Sequence, residues 1–517
     1  MNTKQQMLRS SVVVVFFNLL GGLSGILVET SIAANLGLSM RSDTFYMAYT
    51  IPYIITNLIT ATGQFSLVPF FSSLESSRNE DDVWHGFSYV ANILVLGLGA
   101  ITMVGVVASP LIVHGIAPGF THQQHEVATQ LSRWLFLILV PAGIGEAQRS
   151  FLLSRHYFAL STASGFIRNV VSIVIIVVGF HRYGPQSIFM GYLTGYFVQM
   201  VILGIPMMTS FRPRYFGVFH AQGESFSHLR GAGTAQLGSA LAWQGVVIVE
   251  RIIASFLPPG TLTALNYGFK ILGTLCELLG GSVGTASLPA LSRAFAAQNH
   301  DEAHRTFRDT MELSLLFLSP MAVFCLMLDR SIIRLVFQRG MFTTDATQLM
   351  SMIFFYYSLS LFSFTFIRLL NTYLFARREP GTYFRLSLLH YSLVLVFDLF
   401  YVGVLRWGAK GIPLGFLTGA TIAGGLAIRR NLGEVRASLD PALGRFAGKV
   451  VVGVSVTALS VAALRAWMTS PLTTPGNFVY LCMICGTGSL LYLGVLAALR
   501  ALPISQLAAL WPRTNGA

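Results

Sequence analysis

Charge is scarce in this sequence: Asp, Glu, Lys and Arg make up 11% of its 517 residues. A soluble domain carries about 25%. Hydrophobic residues reach 54%, more apolar surface than one soluble core absorbs, so the excess faces lipid. Cysteine is scarcer still, with four in all (Cys276, Cys325, Cys482 and Cys485), each inside an apolar stretch. Cys482 and Cys485 form a CxxC, but no His or Cys partner lies nearby, so they read as small core residues and not as a zinc or redox motif. No metal site and no catalytic residue is expected. Acidic residues number 21 against 34 basic, for a net charge of +13. That excess is dispersed between apolar runs, with no soluble segment to hold a nucleic acid, so none is an expected partner. Residues 1–9 are short and polar and lead into a long apolar run without a cleavage site after it. This run therefore reads as a first span and not as a removed signal.

The chain contains many apolar runs of about 20 residues, the length a helix needs to cross a bilayer. Backbone groups in lipid must pair within the protein, which leaves helices or closed barrels, and these runs are too long and uniform for barrel strands. The expected fold is an all-α polytopic membrane protein with fourteen spans: 10–37, 43–71, 84–113, 128–154, 157–180, 187–210, 231–257, 261–290, 309–336, 346–375, 381–405, 411–430, 446–469 and 476–500. An even count puts both ends on one side. Of the 34 Lys and Arg residues, 22 then fall on the side of the termini, Arg168 among them, and eight on the other. This bias predicts cytoplasmic termini.

An internal repeat divides the spans. Val28, Glu29, Ile32, Ala33 and Leu36 recur as Val249, Glu250, Ile253, Ala254 and Leu257, an offset of 221 residues. Tyr46, Leu58, Gly63, Ser66 and Leu67 recur at the same offset as Tyr267, Leu279, Gly284, Ser287 and Leu288. Six spans separate the copies, so the halves run in the same direction, as parallel repeats. The predicted organisation is an N-terminal lobe (1–210), a cytoplasmic linker (211–230), a C-terminal lobe (231–430), and two further spans with a tail (431–517). Paired lobes suit alternating access to a substrate held between them.

The duplicated spans carry polar stripes at helical spacing. Asn18, Gly22, Gly25 and Glu29 share a face in span 1. Tyr46, Tyr49, Tyr53, Asn57, Thr60 and Gln64 do so in span 2, Gln236, Ser239, Trp243 and Glu250 in span 7, and Tyr267, Lys270, Thr274, Glu277 and Gly281 in span 8. Asn18, Tyr46, Tyr49, Tyr53, Gln64, Gln236, Trp243 and Tyr267 are expected to line a wet cavity. Intramembrane charges are costly and mark function by default. Glu29, Glu250, Lys270 and Glu277 are therefore candidate substrate or coupling-ion contacts, Glu250 and Glu277 more for the ion, and Asp398, deep in span 11, is a further candidate coupling-ion site. The alternative for Lys270 is a tie to Glu250 or Glu277 that holds helices together. Glu146 and Arg149 sit near the inner end of span 4, where they read as snorkelling.

Several short pieces resemble one family. They are Ser42-Asp43-Thr44-Phe45 with Pro52, Ala117-Pro118-Gly119-Phe120, Ile253-Ala254-Ser255-Phe256-Leu257, Leu288-Pro289-Ala290-Leu291-Ser292-Arg293, Asn299-His300-Asp301-Glu302, Phe337-Gln338-Arg339-Gly340-Met341-Phe342-Thr343, and Phe375-Ala376-Arg377-Arg378. In this order they resemble the MurJ/MviN family of lipid II flippases, within the multidrug/oligosaccharidyl-lipid/polysaccharide exporter superfamily. The resemblance implies a transporter, not an enzyme. Its cargo is an undecaprenyl-pyrophosphate-linked saccharide moved from the inner to the outer leaflet of the bacterial cytoplasmic membrane, for cell-wall biogenesis. It also implies a cationic grip on the pyrophosphate, a groove for the lipid tail beside the last two helices, no cofactor, resetting by membrane potential or a coupling cation (H⁺ or Na⁺), and a monomer among membrane lipids. Glu29, Asp43, Lys270 and Arg368 match the family's pattern, which implies that they, with Asn57 at a family arginine position, are substrate contacts. Val28, Thr56-Asn57 and Gly273 depart from it where members carry an arginine, another arginine and an acid. Glu29, Glu250 and Glu277 outnumber Lys270, which leaves a cation-driven exporter of another lipid-linked glycan or amphiphile as an alternative. A transport-inactive scaffold of a cell-envelope complex is another. An embedded glycosyl transferase is disfavoured, because the outer loops are short and lack a catalytic cluster.

Overall fold

The computed structural model describes residues 3–76, 80–211, 213–217, 234–430, 440–468, 471 and 473–502. The expected linker at 211–230, apart from 211 and 213–217, lies outside the described residues, as do Arg78, Arg212, Arg230, Arg436 and the tail from 503 on. Every long element among the described residues is a helix, as backbone satisfaction in lipid requires. Thirteen helices or unbroken helical runs among the described residues are long and apolar enough to cross a membrane. A fourteenth crossing is a pair, Thr344–Ser358 and Leu361–Ala376, bent by 48°.

Packing divides the chain into two compact units, residues 1–263 with 340–342, and 264–339 with 343–517. The first holds α1 (Thr3–Leu36), α2 (Met40–Thr62), a π-helical turn π1 (Gly63–Leu67), α3 (Val68–Ser76), α4 (Glu80–Ile116), α5 (His122–Phe136), α6 (Leu139–Ser154), α7 (Phe158–Tyr183), α8 (Gln186–Ser210) and α9 (Thr234–Ala254). At 1.5 Å per residue, the 37 residues of α4 reach about 55 Å, well beyond the bilayer's hydrocarbon. Phe70, Phe71, Trp84, Phe151, Leu203 and Met207 form a core shared by α3, α4, α6 and α8. Met103, Val107 and Leu111 of α4 stand exposed, as lipid-facing residues do. The duplication places the lobe division at 211–230, whereas the packing division falls after Thr263: α9 packs on α2 and α4. Gly340 turns with φ +58°, a left-handed geometry that favours glycine, and Met341 N–H then donates to the Ala34 carbonyl at 2.8 Å.

The second unit begins within α10 (Thr261–Cys276). It continues through π2 (Glu277–Gly281), α11 (Ser282–Ala296), α12 (His300–Met327), α13 (Asp329–Phe337), α14 (Thr344–Ser358), α15 (Leu361–Ala376), α16 (Pro380–Asp398), π3 (Leu399–Val404), α17 (Gly411–Arg430), α18 (Pro441–Trp467) and α19 (Thr474–Ala498). Phe307, Met311, Leu370, Tyr373, Leu374, Ala423 and Leu443 form its main core. Val323, Phe324, Val461, Leu481 and Ile484 fasten α18 and α19 to α12. Helices α16 and α17 approach through Gly415 and Gly419. A Cβ there would meet the backbone nitrogens of Asp398 and Val394 at 2.8 and 2.7 Å, the close small-residue packing favoured between helices in lipid.

The repeat is visible in the helix breaks. The bounds of α5 and α6 (122, 136, 139, 154) recur in α14 and α15 (344, 358, 361, 376), an offset of 222 residues at all four ends. Threonine caps both starts: Thr121 accepts from Gln124 N–H and Thr343 from Ala346 N–H.

The start of α18 supplies a stability prediction. Asp440 accepts the Leu443 N–H at 2.9 Å and pairs with Arg308 at 2.8 Å. Loss of this cap in Asp440→Ala is expected to cost about 1 kcal/mol, read as a lower thermal midpoint of the detergent-purified protein. The Leu443 N–H, then Arg308, hold this carboxyl below its ordinary value of 3.8. Its contribution is therefore complete above that value and is lost as pH falls through the lowered one.

Candidate functional site

Within the first unit, Glu29 is buried on α1 and accepts the Tyr46 hydroxyl of α2. This bond between acid and phenol fastens α1 to α2. Tyr49 follows one turn on, with ring centroids 4.9 Å from Tyr192 of α8 and 5.6 Å from Tyr53. Tyr46 and Tyr49 are buried, Tyr53 and Asn57 half-buried, and Asn18 and Gln64 exposed. On α9, Gln236, Trp243 and Glu250 are half-buried and Ser239 is buried.

Asp43 departs from its expected role as a substrate contact. Its carboxylate is buried and accepts the N–H groups of Gly260 (2.6 Å) and Thr263 (2.8 Å) and the Thr263 hydroxyl (2.6 Å). It therefore caps the first turn of α10 from a distant helix, where peptide dipoles favour an anion. The Thr263 and Ser42 hydroxyl oxygens also lie 3.0 Å apart. Ser42 and Thr263 are 221 residues apart, so matching positions of the two repeats meet at this cap.

Three charged residues sit deeper than their sequence context suggests. Glu146 is buried on α6 and accepts Arg149 bidentately, at 3.0 Å to Nε and 2.8 Å to Nη2. Its side chain lies against Gly63, the first residue of π1. This pair is an internal tie, not a snorkelling one. The count of basic residues places Arg168 on the cytoplasmic side, but it lies ten residues inside α7, in the middle of an apolar span. Its guanidinium packs over the Tyr196 ring at 4.7 Å, and among the described residues its hydrogen bonds go to the amide oxygens of Gln199 and Asn169, each at 3.4 Å. The signal for all three was available in depth along the helix, counted from the start of each span.

In the second unit, Lys270 is half-buried in the third turn of α10. Among the described residues, no carboxylate of its own unit lies within 4 Å of it. The tie to Glu277 is not made: Glu277, which opens π2, pairs with Arg368 of α15. At the 222-residue offset Arg368 corresponds to Glu146, so both units place an ion pair of a broken span beside a π-helical turn of its neighbour. Such turns widen a helix locally and recur at functional sites. Tyr267 departs from the expected cavity lining. It is fully buried, its ring stacked on Phe337 at 5.0 Å. Asp398 is also fully buried, against the Gly415 backbone. Among the described residues no group of His, Cys, Asp and Glu has the arrangement of a metal site.

The family described as "Lipid II flippase MurJ" matches residues 32–484. A "Lipid II flippase MurJ" of Burkholderia cenocepacia is 23% identical over 434 residues, which is 80% of this chain and 81% of that protein. A "Probable lipid II flippase MurJ" of Buchnera aphidicola subsp. Baizongia pistaciae is 23% identical over 421 residues, with the same coverage. A solved structure titled "Lipid II flippase MurJ, inward closed conformation" superimposes with a TM-score of 0.77 at 18% identity, over 95% of this chain and 99% of that one. An inward-facing MATE transporter of the MOP superfamily gives 0.71 at 12% identity, over 83% and 98%. Fourteen crossings, a duplicated pair of units and a match spanning most of the sequence leave one conclusion: this chain belongs to the MurJ family of lipid II flippases.

Proposed function

We propose that the chain is an alternating-access flippase that moves a lipid II-like precursor, a saccharide on an undecaprenyl pyrophosphate, from the inner to the outer leaflet for cell-wall biogenesis. The observation that carries this reading is Lys270, an ammonium inside a membrane-spanning helix with no carboxylate of its own unit within reach. A charge so placed calls for an anion, and a pyrophosphate supplies one. Lys270 holds it as a point charge, with Arg368 a further contact in the same unit. Within the first unit Asn57 is a further candidate contact, and Glu29 positions Tyr46 and α2. Glu250 and Asp398 serve the coupling cation, H⁺ or Na⁺, and the membrane potential contributes to resetting. No cofactor takes part. The protein works as a monomer in the bacterial inner membrane, with both termini cytoplasmic, in keeping with the charge bias.

Family membership across residues 32–484 does not favour the exporter or scaffold alternatives. The test is rescue of a strain depleted of its own lipid II flippase. Growth and normal cell shape are expected to return when this chain is supplied. Failure to rescue, with the chain present in the membrane at native abundance, would overturn the reading.

A further inference from the structure

We propose that Arg168 of α7 is the anchor of a second phosphate subsite, one that holds a lipid-borne phosphate within the first unit. This inference rests on the flippase reading and adds to it a residue that no resemblance supplies.

Arg168 lies in mid-span, and on the α-helical wheel it stands well away from the lipid-exposed Ala159, Val170, Val174 and Val177. Its stem runs along Gly195 of α8, where a Cβ would meet the Arg168 Cγ at 3.2 Å. Its head ends among neutral groups: the Tyr196 ring and the Gln199 and Asn169 amides. Those amides are themselves fixed, Gln199 by donating to Ser164 (3.2 Å), and Asn169 by donating to Ser24 (3.0 Å) and to the Gly21 carbonyl (3.2 Å) of α1. Among the described residues no carboxylate lies within 4 Å of Arg168. The acid whose field reaches it, Glu146, is engaged bidentately by Arg149. One positive charge is thus left uncompensated in a membrane span.

Phenol rings stand nearby: the guanidinium lies over the Tyr196 ring, and on α2 and α8 Tyr49 packs against Tyr53 and Tyr192. A guanidinium with N–H donors to spare, over an aromatic ring and between fixed amides, is built to hold an oxyanion with bidentate geometry. The corresponding position in the second unit, 222 residues on, is His390. It is sealed in the core against Phe416 and takes no part in such a site. The subsite therefore belongs to one unit only, and it stands in for the family arginines absent at Val28 and Asn57.

The test uses the full chain in detergent, with farnesyl diphosphate as the probe and farnesol, inorganic phosphate and phosphatidylglycerol as comparators. Binding is read from thermal stabilisation, and melting is also recorded without ligand. Arg168→Gln is expected to weaken farnesyl diphosphate binding at least roughly tenfold, the scale of one lost charge-assisted contact. Arg168→Lys should retain most of it. The unliganded Arg168→Gln protein should melt at or above the wild-type temperature, because an uncompensated charge has been removed. Stabilisation by phosphatidylglycerol alone, lost in Arg168→Gln, would keep the phosphate site but assign it to a membrane lipid and not to cargo. Wild-type binding by Arg168→Gln, with Lys270→Gln defective, would overturn this subsite and leave the flippase reading standing. Equal destabilisation of the Gln and Lys variants without ligand would also overturn it, by making Arg168 a structural tie. No diphosphate binding by the wild-type chain would overturn the flippase reading itself.

Discussion

Lys270→Ala is expected to abolish rescue of a flippase-depleted strain while leaving the protein abundant and folded. The lysine has no carboxylate partner in its unit, so its removal strands no buried counter-charge. The loss is confined to what the ammonium does for a ligand. A charge-assisted contact is worth about 1.5–3 kcal/mol, so affinity for a pyrophosphate lipid should fall by roughly 10- to 100-fold. Lys270→Arg keeps the charge and is expected to rescue, because arginine grips phosphate with two parallel bonds. The measurement is growth and cell shape after depletion, beside quantified membrane abundance and melting temperature. Rescue by Lys270→Ala at wild-type efficiency would remove Lys270 from the site.

Asp43→Ala should act differently, through the fold. Three donors converge on this buried carboxylate: two backbone N–H groups and a hydroxyl, from Gly260 and Thr263. Alanine leaves all of them unsatisfied, at about 1–3 kcal/mol for each buried group. It also removes an anion from the N-terminus of α10. A drop in melting temperature is expected, together with faster hydrogen exchange confined to residues 260–264. Asp43→Asn keeps one acceptor oxygen and should fall between. If Asp43→Ala melts with the wild type and exchanges no faster, yet fails to rescue, Asp43 is a substrate contact after all. The two variants thus separate a residue that holds cargo from one that holds the helix carrying Lys270.

The candidate residues differed in how legible they were. Lys270 and Glu277 were found because charge in an apolar run is rare and needs no partner to be noticed. Their partners were not found: Glu277 meets Arg368, 91 residues away, and helical spacing says nothing across that distance. Tyr267 shares a stripe with Lys270 yet is core, because Phe337 comes to stack on it. Helical periodicity gives the face of a residue but not what covers that face. Arg168 was obscured for another reason. Counting basic residues by side of the membrane assigns each to the nearer end of its span, and a residue ten positions in belongs to neither.

The amino-acid order alone determined the crossings, their duplication and the family. All three follow from local quantities: the length of apolar runs set by bilayer thickness, the recurrence of residues at a fixed offset, and short strings in a fixed order. Which charges remain without a counter-charge was decided only by tertiary packing. Helices brought together from distant parts of the chain supply Arg368 to Glu277 and the start of α10 to Asp43, and among the described residues they bring no acid within 4 Å of Arg168. Electrostatic compensation in lipid acts over a few ångströms between side chains, and that distance is a property of the folded arrangement.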